Sequence, residues 1–112
     1  LITVVVPILD TKGDFLGVVG TDISTQSMQD EVNKIDLFEG NNHISIISNK
    51  GIVVVDNKDT AKIGKNAHLF FNTDILNNIS SQKSSIQNIK DTITCTMPIF
   101  LGKTKSPWFV VI

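Results

Sequence analysis

A carboxylate placed beside a glycine is the feature of this chain best suited to chemistry. In Phe15-Leu16-Gly17-Val18-Val19-Gly20-Thr21-Asp22-Ile23 the pattern is that of a strand. Leu16, Val18, Gly20 and Asp22 then share one face. Gly20 is expected to leave space beside the Asp22 carboxylate, an arrangement that suits a ligand ammonium group. A local use competes with it, since Asp commonly accepts backbone N–H groups where a strand turns into a helix. Gly17 and Gly20 equally suit the packing of a helix close to the sheet. The remaining polar residues propose less. His43 and His68 lack metal-ligand spacing and a Cys or Glu partner, so structural or surface roles are expected of both. Cys95 alternates with Ile93 and Met97 and reads as a small hydrophobe. Asp56-Asn57-Lys58-Asp59 contains Lys and lacks the calcium-loop pattern, so a solvated loop is expected there. No acid–base pair, nucleophile with its base, or phosphate loop appears, and an enzyme is not expected. No metal site and no cofactor are proposed.

The elements that must position these residues are mostly strands. Residues 1–9 and 15–23 flank a polar, Gly-containing turn and predict a hairpin. Ser24 can cap a helix over residues 25–35, with Met28, Val32 and Ile35 on one stripe. Strands are expected at 44–48 and 52–55, then a polar loop at 56–65. Thr73 can cap a short helix with Ile75, Leu76 and Ile79 on one side. Strands at 85–90, 92–100 and 107–112 close the chain. In Thr92 to Phe100 the residues Ile93, Cys95, Met97 and Ile99 are expected to face the core, and Thr92, Thr94 and Thr96 the solvent. Ser45, Ile47, Thr94 and Thr96 could line a pocket between sheet and the 58–81 connection. The fold class predicted is α+β, with an antiparallel sheet flanked by helices.

The composition bounds the function. The 112 residues carry ten basic against eleven acidic side chains, a formal charge of −1. No basic cluster is present, so nucleic acid is not expected as a partner. All ten basic residues are Lys, and there is no Tyr. One Cys excludes an internal disulfide. The chain starts at Leu1 inside an evident strand, which predicts a piece of a longer protein.

An internal repeat sharpens that prediction. Ile2-Thr3-Val4-Val5-Val6-Pro7-Ile8 matches Ile93-Thr94-Cys95-Thr96-Met97-Pro98-Ile99 at four of seven positions. Each is followed by a Lys- and Gly-containing turn and an apolar strand. A repeat means that one architecture is used twice. Residues 1–23 then form the closing hairpin of one lobe, 24–40 a connecting helix, and 41–112 a second lobe.

Several segments, in this order, resemble the double Cache sensor family, the PAS-like extracytoplasmic ligand-binding region of bacterial chemoreceptors and sensor kinases. They are Thr3-Val4-Val5-Val6-Pro7-Ile8, the Lys12-Gly13 loop, the strand ending Val18-Val19-Gly20-Thr21-Asp22-Ile23, and Ile44-Ser45-Ile46-Ile47-Ser48-Asn49-Lys50-Gly51-Ile52-Val53-Val54. Ile63-Gly64-Lys65-Asn66 and Pro107-Trp108-Phe109-Val110-Val111 complete the series. The resemblance implies a PAS-like (Cache) lobe with a central antiparallel sheet, preceded by the hairpin of a truncated membrane-distal lobe. It implies a receptor anchored in the cell membrane, with this region outside the cytoplasm, a small-molecule ligand such as an amino acid or amine, and a homodimer. A methyl-accepting chemotaxis receptor is the first reading. A structural or dimerisation lobe of a sensor histidine kinase or diguanylate cyclase, binding no ligand, is the alternative. The resemblance also implies that Asp22 contacts a ligand amine, with Gly20 beside it. The Arg-, Trp- and Tyr-containing motif of amino-acid-binding members has no counterpart here.

Overall fold

The computed structural model describes residues 1–112 and holds two separate antiparallel sheets. β1 (Ile2–Leu9) and β2 (Phe15–Ile23) form a two-stranded ribbon. Its turn is closed by Asp10, whose carboxylate accepts the N–H groups of Lys12 and Asp14, while Gly13 supplies φ +90°. Helix α1 (Thr25–Asn33) follows, capped by Ser24, whose hydroxyl accepts the Ser27 N–H. β3 (Ser45–Ile47), β4 (Val53–Asp56), helix α2 (Thr73–Ser80), β5 (Ser85–Ile89), β6 (Thr92–Ile99) and β7 (Trp108–Val111) complete the chain. The larger sheet has the order β4-β3-β7-β6-β5, with every pair antiparallel. The α+β class with a central antiparallel sheet therefore holds.

Both faces of the larger sheet carry a core. Ile47, Val53, Phe109 and Val111 pack against Ala67 and against Ile75 of α2. On the other face Ile46, Val54 and Val55 pack against Val32 of α1, with Met28, Trp108 and Val110 at the margin. A bulge between Ile46 and Ile47 opposes Val53 and Val55 to consecutive residues. This irregularity turns Val53 to one layer and Val54 and Val55 to the other.

Three local expectations are corrected. Helix α1 stops at Asn33, and Ile35 is exposed. The buried Asn42 amide explains the stop: it accepts the Leu37 N–H and donates to the Ile35 carbonyl, folding the chain back. The cap of α2 is Asn72, which accepts the Ile75 N–H, and Thr73 is the first helical residue. The faces of β6 are the reverse of those expected: Thr96 is 2% exposed, while Ile93 and Met97 are 64% and 59% exposed. The Thr face lies in the row that includes Val111, under α2, and α1 does not reach across to β5 and β6 on the other side. Alternation shows that two faces differ, but the positions of distant helices decide which is covered.

The repeat is exact in register. Pro7 pairs with Val18 and Pro98 with Phe109. Val6 pairs with Val19 and Met97 with Val110, and Val5 with Gly20 as Thr96 with Val111. Ile8 with Gly17 and Ile99 with Trp108 complete the series, so the two hairpins share one pairing register at a constant offset.

Candidate functional site

The sequence-derived candidates lie on the ribbon. Asp22 pairs across the strands with Thr3, whose hydroxyl donates to the carboxylate at 2.6 Å. Directly opposed residues of an antiparallel pair project to the same face. Thr3, Val5, Gly20 and Asp22 thus share one face, and by the repeat register it is the face that Thr94, Thr96 and Val111 present in the larger sheet. There, that face is the one covered by α2. Asp22 itself is exposed on this face of the ribbon.

Gly20 does not leave open space beside the carboxylate. A Cβ there would lie 2.7 Å from Val5 Cγ1 and 2.9 Å from the Val4 carbonyl oxygen. The strands meet so closely at this pair that Val5 occupies the gap. Gly20→Ala is expected to destabilise the ribbon by about 1–3 kcal/mol through overpacking against backbone. Hydrogen exchange of the Val4 to Val6 amides, compared between variant and wild type, measures it.

A second cluster escaped the sequence reading. Asp56 is 0% exposed at the end of β4, where a solvated loop was expected. His43 Nε2 lies 2.8 Å from both carboxylate oxygens. A carboxylate can only accept, so Nε2 carries the proton. The Ser45 hydroxyl donates to Oδ2 at 2.9 Å, and the N–H groups of Lys58 and Asp59 donate to Oδ1 at 3.0 and 2.8 Å. Lys62 Nζ stands 3.7 Å away, over the Phe70 ring. Burial pushes the Asp56 carboxyl up, but the hydrogen bonds from His43, Asp59, Lys58 and Ser45 together hold it below the usual carboxylate range. The Gln29 side chain of α1 donates to the Asp56 carbonyl at 2.9 Å and accepts its N–H at 3.2 Å. The amide thus pairs with the free edge of β4 as another strand would, and it ties α1 to the sheet. The turn at Asp56 to Asp59, read from the sequence only as a solvated loop, is of the Asx type that an Asp can signal locally. Its partners at positions 29, 43 and 45 carry no such local signal, since they are set by tertiary placement.

The other singled-out residues have ordinary surroundings. His68 contacts Asn66 through Nδ1 at 2.6 Å. Cys95 is half-buried, and Trp108 packs against the α1-side core. No helix is long and apolar enough to cross a membrane.

No family model matches the chain, and neither does any curated protein. Solved structures do. The extracellular domain of mmHK1S-Z3, described as a histidine kinase, aligns over 98% of this chain with a TM-score of 0.73 and 20% identity. The periplasmic sensory domain of the Campylobacter jejuni chemoreceptor Tlp1 aligns over 97% with a TM-score of 0.72 and 17% identity. The ligand-binding domain of the Pseudomonas fluorescens chemoreceptor CtaA, solved with L-serine, aligns over 97% with a TM-score of 0.52 and 14% identity. The chain spans 43%, 41% and 45% of those three chains. With its antiparallel sheet between two helices and its second hairpin in the same register, the chain has the fold of the Cache-type extracellular sensor domains of histidine kinases and chemoreceptors.

Proposed function

We propose that this chain is part of the extracytoplasmic sensory module of a membrane-anchored, homodimeric receptor, a chemoreceptor in the first instance. In this reading residues 1–23 close a membrane-distal lobe, 24–40 connect, and 41–112 form the membrane-proximal lobe. Asp22 holds the ammonium group of a small ligand, an amino acid or amine, in the intact receptor. The observation that carries this is the shared register of the two hairpins. It puts Asp22 and Thr3 on the face that the larger sheet turns toward its own helical layer. A carboxylate there that accepts only one hydroxyl retains lone pairs for an ammonium group. The L-serine complex of a structural neighbour supports the ligand class. A ligand signals only if it binds two conformations unequally. The Gln29–Asp56 link gives movement of α1 a direct route into the second sheet.

Asp22→Asn in the intact receptor is expected to weaken binding of L-serine by about 10–100-fold, since a charge-assisted bond becomes a neutral one. L-lactate, which lacks the amine, should bind both forms equally weakly. Calorimetric titration measures both. Unchanged affinity for serine in the variant would refute the ammonium contact.

A further inference from the structure

We propose that the outer edge of β5 is an interaction surface whose partner is β5 of a second copy of this chain, paired antiparallel about a two-fold axis at Ile86. The larger sheet ends in two edge strands, β4 and β5. The β4 edge is covered from within the chain. The Val53 N–H donates to the Lys65 carbonyl at 2.9 Å, and the Gly64 N–H donates to the Val53 carbonyl at 2.8 Å. The Gln29 amide takes both backbone groups of Asp56. The β5 strand, by contrast, is paired on one side only, with β6. Edge strands that must stay single are blunted by Lys, Pro or a bulge. Ser85-Ile86-Gln87-Asn88-Ile89 has none of these, and its register with β6 runs unbroken.

The backbone pattern fixes which groups this edge offers. Cys95 of β6 exchanges both backbone hydrogen bonds with Ile112, at 2.7 and 2.9 Å. Bonding direction alternates along a strand, so Thr94 and Thr96 turn theirs toward β5. Gln87 and Ser85 stand opposite those two residues and are engaged by them. Ile86 and Asn88 therefore hold their N–H and C=O groups outward. The Ile86 side chain is 78% exposed. It stands opposite Cys95, and Cys95 opposite Ile112, which packs against the α1-side core. One apolar row thus runs from that core to the sheet edge and ends in Ile86, open to water.

Self-complementarity selects the occupant. A two-fold axis at Ile86 opposes Ile86 to its own copy, Ser85 to Gln87 and Ser84 to Asn88. The apolar row then continues from one protomer into its partner. Residues 84–89 are uncharged, and Lys83 and Lys90 come opposite Ile89 and Gln82, so no like charges meet. An axis at Asn88 would instead set Ile86 against Lys90. Gln87 Oε1 has no partner within one chain. In the pair Gln87 faces Ser85, whose hydroxyl accepts from Asn78 and keeps its own proton to donate. The contact is small, so the dimer is of the weak, exchanging kind. It rests on the homodimeric part of the reading above, and not on Asp22 or any ligand.

Sedimentation velocity of the full chain, from about 1 µM to 1 mM, reads the association. A reversible monomer–dimer equilibrium is expected. Ile86→Lys sets like charges face to face on the axis and should weaken dimerisation about tenfold. Its unfolding midpoint should stay that of the wild type, because Ile86 is exposed. Val19→Lys, on the equally exposed ribbon, should dimerise as the wild type does. In a Cys95→Ala background, Ile86→Cys should oxidise to a disulfide-linked dimer, since residues opposed in a bonded pair have Cα atoms about 5.5 Å apart. Asn88→Cys, roughly 14 Å from its own copy, should not. A chain that stays monomeric throughout, or one whose dimerisation ignores Ile86→Lys or is lost in Val19→Lys, would overturn the proposal. So would cross-linking of Asn88→Cys as fast as that of Ile86→Cys. Asp22→Asn should dimerise like the wild type, so failure of the ligand reading is separable from failure of this one.

Discussion

Asp56→Ala is expected to destabilise the protein by about 3–5 kcal/mol, the usual cost of removing one partner of a buried charged network. The substitution strands the Ser45 hydroxyl and the Lys58 and Asp59 N–H groups at once. It also leaves Lys62 without its anion. His43 suffers least, because its side chain is 44% exposed and can turn to water. A domain of this size has a total stability of about 5–15 kcal/mol, so the loss is a large fraction. Urea unfolding of variant and wild type reads it directly. Asp56→Asn keeps the shape and one acceptor oxygen, and a smaller loss of about 1–2 kcal/mol is expected. His43→Ala should cost less than either. A variant Asp56→Ala as stable as wild type would show that the cluster contributes nothing net.

The same carboxylate sets an acid limit. Its value in the folded protein lies below the ordinary one. The unfolded chain therefore binds the proton more readily than the folded one. The Asp56 contribution is full above the unfolded value and is lost as pH falls through the folded value. Stability of the wild type should fall toward that of Asp56→Asn in acid and separate from it toward neutral pH. Parallel curves across that window would contradict the assignment.

Gln29→Ala is expected to cost about 2–4 kcal/mol, since it leaves both the N–H and the carbonyl of a fully buried residue unpaired. The loss should be local in one respect. Helix α1 keeps its Ser24 cap and its apolar contacts through Met28 and Val32. Its amides should therefore remain helical while their exchange protection falls toward that of the ribbon. Gln29→Glu is a sharper variant. It keeps size but cannot donate to the Asp56 carbonyl, and it brings a second carboxylate near Asp56. Its cost should exceed that of Ala at neutral pH and shrink in acid, where the new carboxyl can donate. Denaturant titration at two pH values separates the two variants.

Much of the fold was legible because it rests on local chemistry. The Asp10 to Gly13 turn, the Ser24 cap and the strand alternation each act within a few residues, and each formed where expected. The repeat was legible as four shared residues, and the structure turned it into a shared register. What failed did so for non-local reasons. Asn42 ended α1 from outside the helix, and two helices from distant parts of the chain decided which face of β6 was buried. The space beside Asp22 was filled by Val5 of the paired strand.

By itself, then, the sequence determined the order of elements, the antiparallel class and the pairing of Asp22 with a glycine on one strand face. Only the tertiary structure decided that Asp56 is a buried junction of His43, Ser45 and Gln29, since those partners lie 13, 11 and 27 residues away. Only it showed that the Thr96 hydroxyl and the Gln87 amide oxygen are buried without partners. Hydrogen-bond satisfaction is a property of surroundings, and surroundings are settled when sheets and helices close on one another.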